Sequence, residues 1–174
     1  LLLWDRETLR LAGAYRIGNT AALLREYGED GLYVRTLFDF QPGLHDFLAH
    51  GLELGRSFVN PDYWGKSSLD YLWQGLGAYL NHHSNVRYLI GPVTISASFP
   101  KSLIDHLVFY YQRFYASPRA LASAKKPYII DSQRRCALEI EYQDVGREKG
   151  FQLLQQVFQS EGEKVPVLFK QYAA

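Results

Sequence analysis

A chain of 174 residues is long enough to bury one core, and 47% apolar with 21% charged residues is the balance of a globular protein. A formal net charge of +1, with no Lys/Arg block interleaved with aromatics, argues against a nucleic-acid partner. The lone cysteine, Cys136, excludes an internal disulfide, and the longest uncharged apolar run, Tyr88–Pro100, falls short of the ~20 residues of a membrane span.

No signal peptide opens the chain. It begins at Leu1 inside what reads as a strand and contains no methionine, so the expectation is a single domain over residues 1–174, trimmed at the N-terminus and also at the C-terminus. Leu1–Trp4 and Leu11–Ile17 bracket the polar stretch Asp5–Arg10, which predicts a hairpin. Asn19–Tyr27 reads as a short helix and Gly28–Gly31 as a turn. Leu32–Phe40 alternates like a strand, and Leu44–His50 reads as helical.

Leu52–Val59 is a strand and Asn60–Lys66 a turn. Ser67 or Ser68 is a suitable N-cap for a helix carrying Leu69, Leu72, Trp73, Leu76 and Leu80 on one face. Val86–Ser96 reads as a buried strand interrupted at Gly91-Pro92. From Pro100 to about Tyr115 a helix presents Leu103, Ile104, Leu107, Val108, Tyr111, Phe114 and Tyr115 to a core. Lys125-Lys126-Pro127 is a loop; Ala137–Tyr142 is compatible with strand or helix; Phe151–Phe158 is a helix and Val165–Tyr172 a final strand. Helices between the later strands predict an α/β or α+β sheet with crossover connections.

The chemically informative stretch is Leu52–Val59, where Glu53 and Arg56 interrupt an apolar strand. Residues three apart on a regular strand face opposite sides. Gly55 between them permits a bulge, which re-aims one side chain and frees a backbone N–H for an oxyanion. The helix N-terminus at Ser67 suits an anion such as phosphate. On spacing alone, the favoured reading is a structural ion pair closing the end of a sheet.

The segments LELGRSFV, YLWQGLGAYL, RYLIGPVTIS and VPVLFKQY resemble the ornithine–acyl-carrier-protein N-acyltransferases, a family often labelled hemolysin-like. That family lies within the GCN5-related N-acetyltransferase (GNAT) superfamily. The Glu-x-x-Arg motif is also similar to that of acyl-homoserine-lactone synthases. The resemblance covers most of residues 1–115 and resumes over 151–172. It implies a mixed, mostly antiparallel central sheet with flanking helices. The fourth strand (Leu52–Val59) and the fifth (from Val86) splay to admit a pantetheine arm.

The same resemblance implies an N-acyltransferase moving a long-chain, 3-hydroxylated acyl group from acyl carrier protein to an amino-acid amine, with ornithine the expected acceptor, in bacterial lipid biosynthesis. Rival readings are a lactone-type signal synthase, another acceptor such as glycine, glutamine or a polyamine, and a non-catalytic lipid-binding protein. Glu53 is the expected general base, since an ammonium must lose a proton before attacking a thioester. Arg56 is expected either to pair with Glu53 or to grip the acceptor carboxylate. Ser57, Phe58 and Val59, with Gly65, Lys66 and Ser67, would form the oxyanion and pantetheine site, and Trp73, Gly91 and Ser96 would touch substrate. Asp62 replaces the Gln or Arg that coenzyme-A-using members carry after this strand, which favours carrier-bound phosphopantetheine over free coenzyme A. No metal or further cofactor is implied. The expected location is cytoplasmic, with peripheral contact at the inner membrane.

Several residues carry weaker signals. Ser57 has no recognisable His and acid near it, so a plain strand serine is expected. His82-His83 read as a solvated helix end, and His45 and His50 are poorly spaced as ligands. Cys136 is expected to be a buried or half-buried inert thiol. Lys125-Lys126 read as a solvated loop, or as a contact for an acidic carrier protein or anionic headgroups.

Overall fold

The computed structural model describes residues 1–173 and forms two compact units, Leu1–Pro92 with Leu121–Lys125, and Val93–Ala120 with the chain from Lys126 onward. The first unit opens with the expected hairpin, β1 (Leu2–Asp5) and β2 (Arg10–Asn19). Asn19 then caps α1 (Thr20–Tyr27), its side-chain oxygen accepting from the Ala22 N–H at 2.9 Å. The elements that follow are α2 (Tyr33–Leu37), β3 (Phe38–Phe40), α3 (His45–Leu48), β4 (Gly51–Val59), α4 (Ser68–Asn81) and β5 (Tyr88–Ile90). The sheet order is β1-β2-β4-β5, antiparallel at the first two pairings and parallel at the last; β3 pairs antiparallel with β6 (Ala122–Ala124).

The central strand β4 is buried on both faces over Gly51–Leu54. Leu52 and Leu54 share one face and Glu53 takes the other, by the two-residue period of a strand. α4 packs on β1 and β2, burying Leu72 and Leu76. Leu32, Val34, Leu44 and Leu48 make a second cluster.

The second unit is helical around its core: α5 (Lys101–Tyr115), α6 (Ser132–Glu141), α7 (Arg147–Ser160) and α8 (Val167–Ala173). Its core joins Leu103, Leu107, Tyr110, Leu138, Leu154 and Phe158. The buried face of α5 is shifted from the expected stripe: Asp105, His106, Phe109 and Tyr110 are buried with Leu103 and Leu107, whereas Ile104, Val108, Tyr111 and Phe114 are half-buried and Tyr115 is exposed, because α5 packs against both α6 and α7. Among the described residues no helix is long and apolar enough to cross a membrane.

Three expectations are corrected and one open reading is decided. Leu32–Phe40 is not one strand; the first part is α2, and buried Leu32 and Val34 mimic a period of two while flanking a helix start. The Val86–Ser96 strand shrinks to Tyr88–Ile90, with Tyr88 and Leu89 exposed, since Gly91-Pro92 cannot prolong the ladder. Val165–Tyr172 is not a strand: Pro166 precedes α8 and its carbonyl accepts the Phe169 N–H, a helix start that proline's fixed φ favours. Ala137–Tyr142, open between strand and helix in the sequence, is helix up to Glu141 in α6 with Tyr142 as its C-cap, and the start of α6 is capped by the Asp131 carboxylate on the Arg134 N–H at 2.9 Å.

Candidate active site

The site begins with a register change. Arg16 faces Gly55 and Ala14 faces Phe58, so Arg56 and Ser57 stand together opposite Tyr15 alone. That one extra residue is a β-bulge. It lies beside Gly55, as the sequence suggests, but the unusual backbone falls on the next residue: Arg56 has φ +50°, in the left-handed region that strains a residue with a Cβ. Gly55 serves a different purpose. It is the cross-strand partner of Arg16, and a Cβ built there would meet Arg16 Nη2 at 3.9 Å, an ordinary contact, so the guanidinium lies directly over this position.

That guanidinium reaches Glu53. Arg16 Nη2 donates to Glu53 Oε2 at 2.6 Å, and the Val34 N–H donates to Oε1 at 2.8 Å. The Glu53 side chain is 1% exposed, whereas Arg16 is 45% exposed. The partner of Glu53 is therefore Arg16, not Arg56. Arg56 turns to the ring of Tyr33, with Cζ 5.5 Å from its centroid, and Arg16 Cζ is 5.9 Å from the same ring. Both distances are within cation–π range. The extra residue explains the geometry: three positions apart on a flat strand, Glu53 and Arg56 would diverge, and the bulge brings Arg56 to the Tyr33 side.

On its other edge β4 loses its neighbour. The parallel ladder runs Gly51–Tyr88, Leu52–Leu89 and Glu53–Ile90, and β5 then ends while β4 continues to Val59. Because the Asn60 N–H donates to the Ala12 carbonyl at 2.9 Å, alternation turns the Val59 N–H away from β2, toward this opened edge. The Val59 carbonyl accepts from Trp64 Nε1 at 2.8 Å. Ser57 is half-buried and Phe58 exposed.

The turn after β4 holds Gly65 at φ +74°. Lys66 Nζ lies 5.1 Å from the Tyr63 ring centroid. Ser67 precedes α4, but its hydroxyl makes no capping hydrogen bond, contrary to expectation; Ser68 Oγ instead donates to the Tyr63 carbonyl at 3.4 Å. Asp62 is matched by Arg10 at 2.8 Å. Trp73 meets Tyr15 edge-on, ring centroids 6.2 Å apart. Gly91 follows β5 directly. Ser96 lies in the other unit, its hydroxyl 2.8 Å from that of Ser98.

The structure thus sets Arg16 and Arg56 on the Tyr33 ring, ties Glu53 to Arg16 and the Val34 N–H, and puts Ser57–Val59 on the opened stretch of β4. Arg16 and Tyr33 were not legible as site residues. Only the β2–β4 register sets Arg16 across from Gly55, and only the α2 turn sets Tyr33 beside Val34.

Among the described residues no three His, Cys, Asp or Glu side chains converge as a metal requires. His82 and His83 close α4, His83 stacking on Tyr79 with centroids 3.9 Å apart. His45 Nε2 meets Glu29 at 2.9 Å. Cys136 is exposed, not buried as expected.

Residues 1–74 match the family described as acetyltransferase (GNAT) domain. Over 182 residues the chain is 27% identical to the glycine N(alpha)-acyltransferase of Phocaeicola vulgatus, covering 99% of this chain and 55% of that protein. It is 26% identical to the protein of the same name from Bacteroides thetaiotaomicron, covering 99% of the chain and 53% of the relative. A shorter stretch of 92 residues is 35% identical to the L-ornithine N(alpha)-acyltransferase of Brucella abortus, covering 48% of this chain and 31% of that one. The chain spans about half the length of the glycine-named relatives. No solved structure matches it. The mixed, mostly antiparallel sheet with helices is consistent with the GNAT fold, and the matched stretch contains β1 to β4, the bulge and Glu53.

Proposed function

We propose that the chain is the acyl-transferring part of an N-acyltransferase that joins a long-chain, 3-hydroxylated acyl group to the α-amine of an amino acid, in bacterial aminolipid synthesis. The observation that carries this reading is the opening of the sheet beside a bulged β4, within the stretch that matches an acetyltransferase domain. An exposed strand edge can hydrogen-bond the amides of a pantetheine arm as a further strand would. Acyl carrier protein is the donor in this reading. Its single phosphate would meet Lys66 and the N-terminal end of α4, while Asp62, although paired with Arg10, disfavours a pyrophosphate. Such a reaction runs on the cytoplasmic side, peripheral to the inner membrane, where the lipid product is used.

The neutral amine attacks the thioester carbonyl, and the tetrahedral oxyanion takes the Val59 N–H. The attack forms the C–N bond, and collapse of the intermediate re-forms the carbonyl and breaks the C–S bond. The amine proton passes to Glu53 through a water and the thiolate leaves, to be protonated as the carrier thiol. Each Glu53 oxygen accepts one hydrogen bond from the protein and keeps a further lone pair for that water.

Two acceptors are in view. Glycine is favoured, because the relatives that align with 99% of the chain are named for it. Ornithine is the second reading, supported by the shorter, 35% identical alignment. The test is the full-length protein incubated with acyl carrier protein loaded with a 3-hydroxyacyl chain and either amino acid, with the amide read by mass spectrometry. Amide with either amine is the expected result, and Glu53→Gln should lower its rate by about 10²-fold or more. No amide with any amine would overturn the reading; undiminished turnover by Glu53→Gln would remove Glu53 from the chemistry.

A further inference from the structure

Around Tyr33 the charges do not balance. Two guanidinium groups lie within 5.9 Å of one phenol ring, and among the described residues the only carboxylate bonded to either is Glu53. Among the described residues Arg56 is in no ion pair. Arg16 commits Nη2 to Glu53, and its half-exposed fork retains further N–H donors. Arg56 is exposed, yet its backbone is fixed in the left-handed region by the bulge. Two like charges held on one ring repel each other, which an anion between them relieves. The arrangement is partly preset: Glu53 and the Val34 N–H tie β2, β4 and α2 together and hold the Arg16 guanidinium, while the bulge fixes the backbone of Arg56.

We infer that Arg16 and Arg56 form a carboxylate clamp that binds the α-carboxylate of the acceptor amino acid beside Tyr33, selecting α-amino acids over simple amines. This rests on the N-acyltransferase reading and names what selects its acceptor. Planar guanidinium forks match a carboxylate through paired N–H···O bonds. Arg16 is bonded to Glu53 and Arg56 lies on the same strand as Val59, so a carboxylate held between them keeps the attached amine near that strand. Arg16 contributes twice, anchoring Glu53 through one nitrogen and presenting the rest of its fork to substrate.

The test compares glycine with glycinamide as acceptors for the full-length wild type, Arg56→Asn and Arg16→Lys. Asparagine tolerates the left-handed backbone at 56, and lysine keeps a cation for Glu53 while losing the planar fork; circular dichroism checks that both variants fold. In each variant KM for glycine should rise on the order of 10- to 100-fold, the scale of a lost charged hydrogen bond. The kcat should change far less, and the preference for glycine over glycinamide should collapse toward unity. Active variants with wild-type KM, or equal losses for glycine and glycinamide, overturn the clamp and leave the N-acyltransferase reading standing. A rise in KM for the acyl donor instead assigns the two arginines to the donor phosphate and also overturns it. If the wild type makes no amide, the N-acyltransferase reading falls by itself. Saturation-transfer NMR with glycine then decides the clamp: a signal lost in Arg56→Asn supports it, and no signal in the wild type overturns it.

Discussion

Each unit buries a carboxylate, and the two are built differently. Glu53 in the sheet unit is 1% exposed at its side chain, and Asp105 on α5 is 4% exposed. Each takes a cation and a second donor: Arg16 and the Val34 N–H for Glu53, Lys101 at 3.0 Å and the Tyr128 hydroxyl at 2.7 Å for Asp105. Burial, and then that hydrogen bond to Asp105, push the Tyr128 hydroxyl up to about 12. The surroundings have opposite signs. Lys101 is shared between Asp105 and Asp131, at 3.8 Å from the latter, an acid-rich arrangement at the first turn of α5. Glu53 is one acid paired with Arg16, and Arg16 shares the Tyr33 ring with a second arginine, Arg56. The acid-rich cluster fastens a helix; the base-rich one leaves positive charge to be answered by a ligand. Burial alone would not separate them.

The largest expected break comes from Arg16→Ala. It leaves Glu53 buried without its cation, which costs about 3–5 kcal/mol for a shielded pair, and Arg16's partial exposure sets the expectation at the low end. Urea unfolding measures it, and a loss below about 1 kcal/mol would mean that water replaces the guanidinium. Asp105→Asn is the matched change in the other unit. The amide oxygen still accepts from Tyr128 while the pair with Lys101 is lost, so about 1–3 kcal/mol is expected. The acceptor KM of that variant should stay at the wild-type value, and a rise would erase the distinction between the two carboxylates.

Gly13→Ala sharpens the comparison from the strand side. A Cβ at 13 would sit 2.8 Å from the Phe58 carbonyl and 3.3 Å from Leu72, both beside the bulge. The backbone must give, at about 1–3 kcal/mol. Amide formation should fall together with stability, because Phe58 and Val59 pair with Ala14 and Gly13. Unchanged turnover with lowered stability would separate the bulge geometry from the chemistry.

Where local pattern and tertiary environment agree, the sequence is readable. The β1–β2 hairpin, α1, β4, α4 and α5 all follow from period and turn chemistry, although the Asn19 cap of α1 emerges only in the structure. The failures share one cause, an apolar run whose neighbours settle its form. Leu32 and Val34 are both buried around the start of α2, so they look like one face of a strand. Val167-Leu168-Phe169 is as apolar as a strand and becomes a helix after Pro166. The site divides in the same way. Glu53, Arg56 and the bulge beside Gly55 are visible as charges and a glycine in an apolar strand. Arg16 is an ordinary hairpin arginine until pairing sets it opposite Gly55, and register is a property of two strands.

The smallest expected effect lies in the helical unit and depends on pH. His106 is 4% exposed, and burial is the largest cause holding its imidazole below the ordinary value of 6.5. Glu141, at 3.8 Å from Nε2, and Asp105 pull it back up, Arg134 pushes it further down, and the Tyr142 hydroxyl lies 3.5 Å from Nδ1. In the unfolded chain the ring takes a proton near 6.5, whereas in the folded chain it stays neutral to lower pH. The unfolded state therefore binds more protons in that window, and stability that is complete above about pH 6.5 declines as pH falls toward the folded value. One proton limits the slope to about 1.4 kcal/mol per pH unit. His106→Gln removes the titrating ring, so its stability should fall less than that of the wild type between about pH 7.5 and pH 5.5, as read by urea midpoints. The four other histidines are common to both proteins and cancel in the difference. Parallel pH profiles would mean that the folded imidazole protonates as readily as the unfolded one, and that Glu141 and Asp105 offset the effect of burial in full.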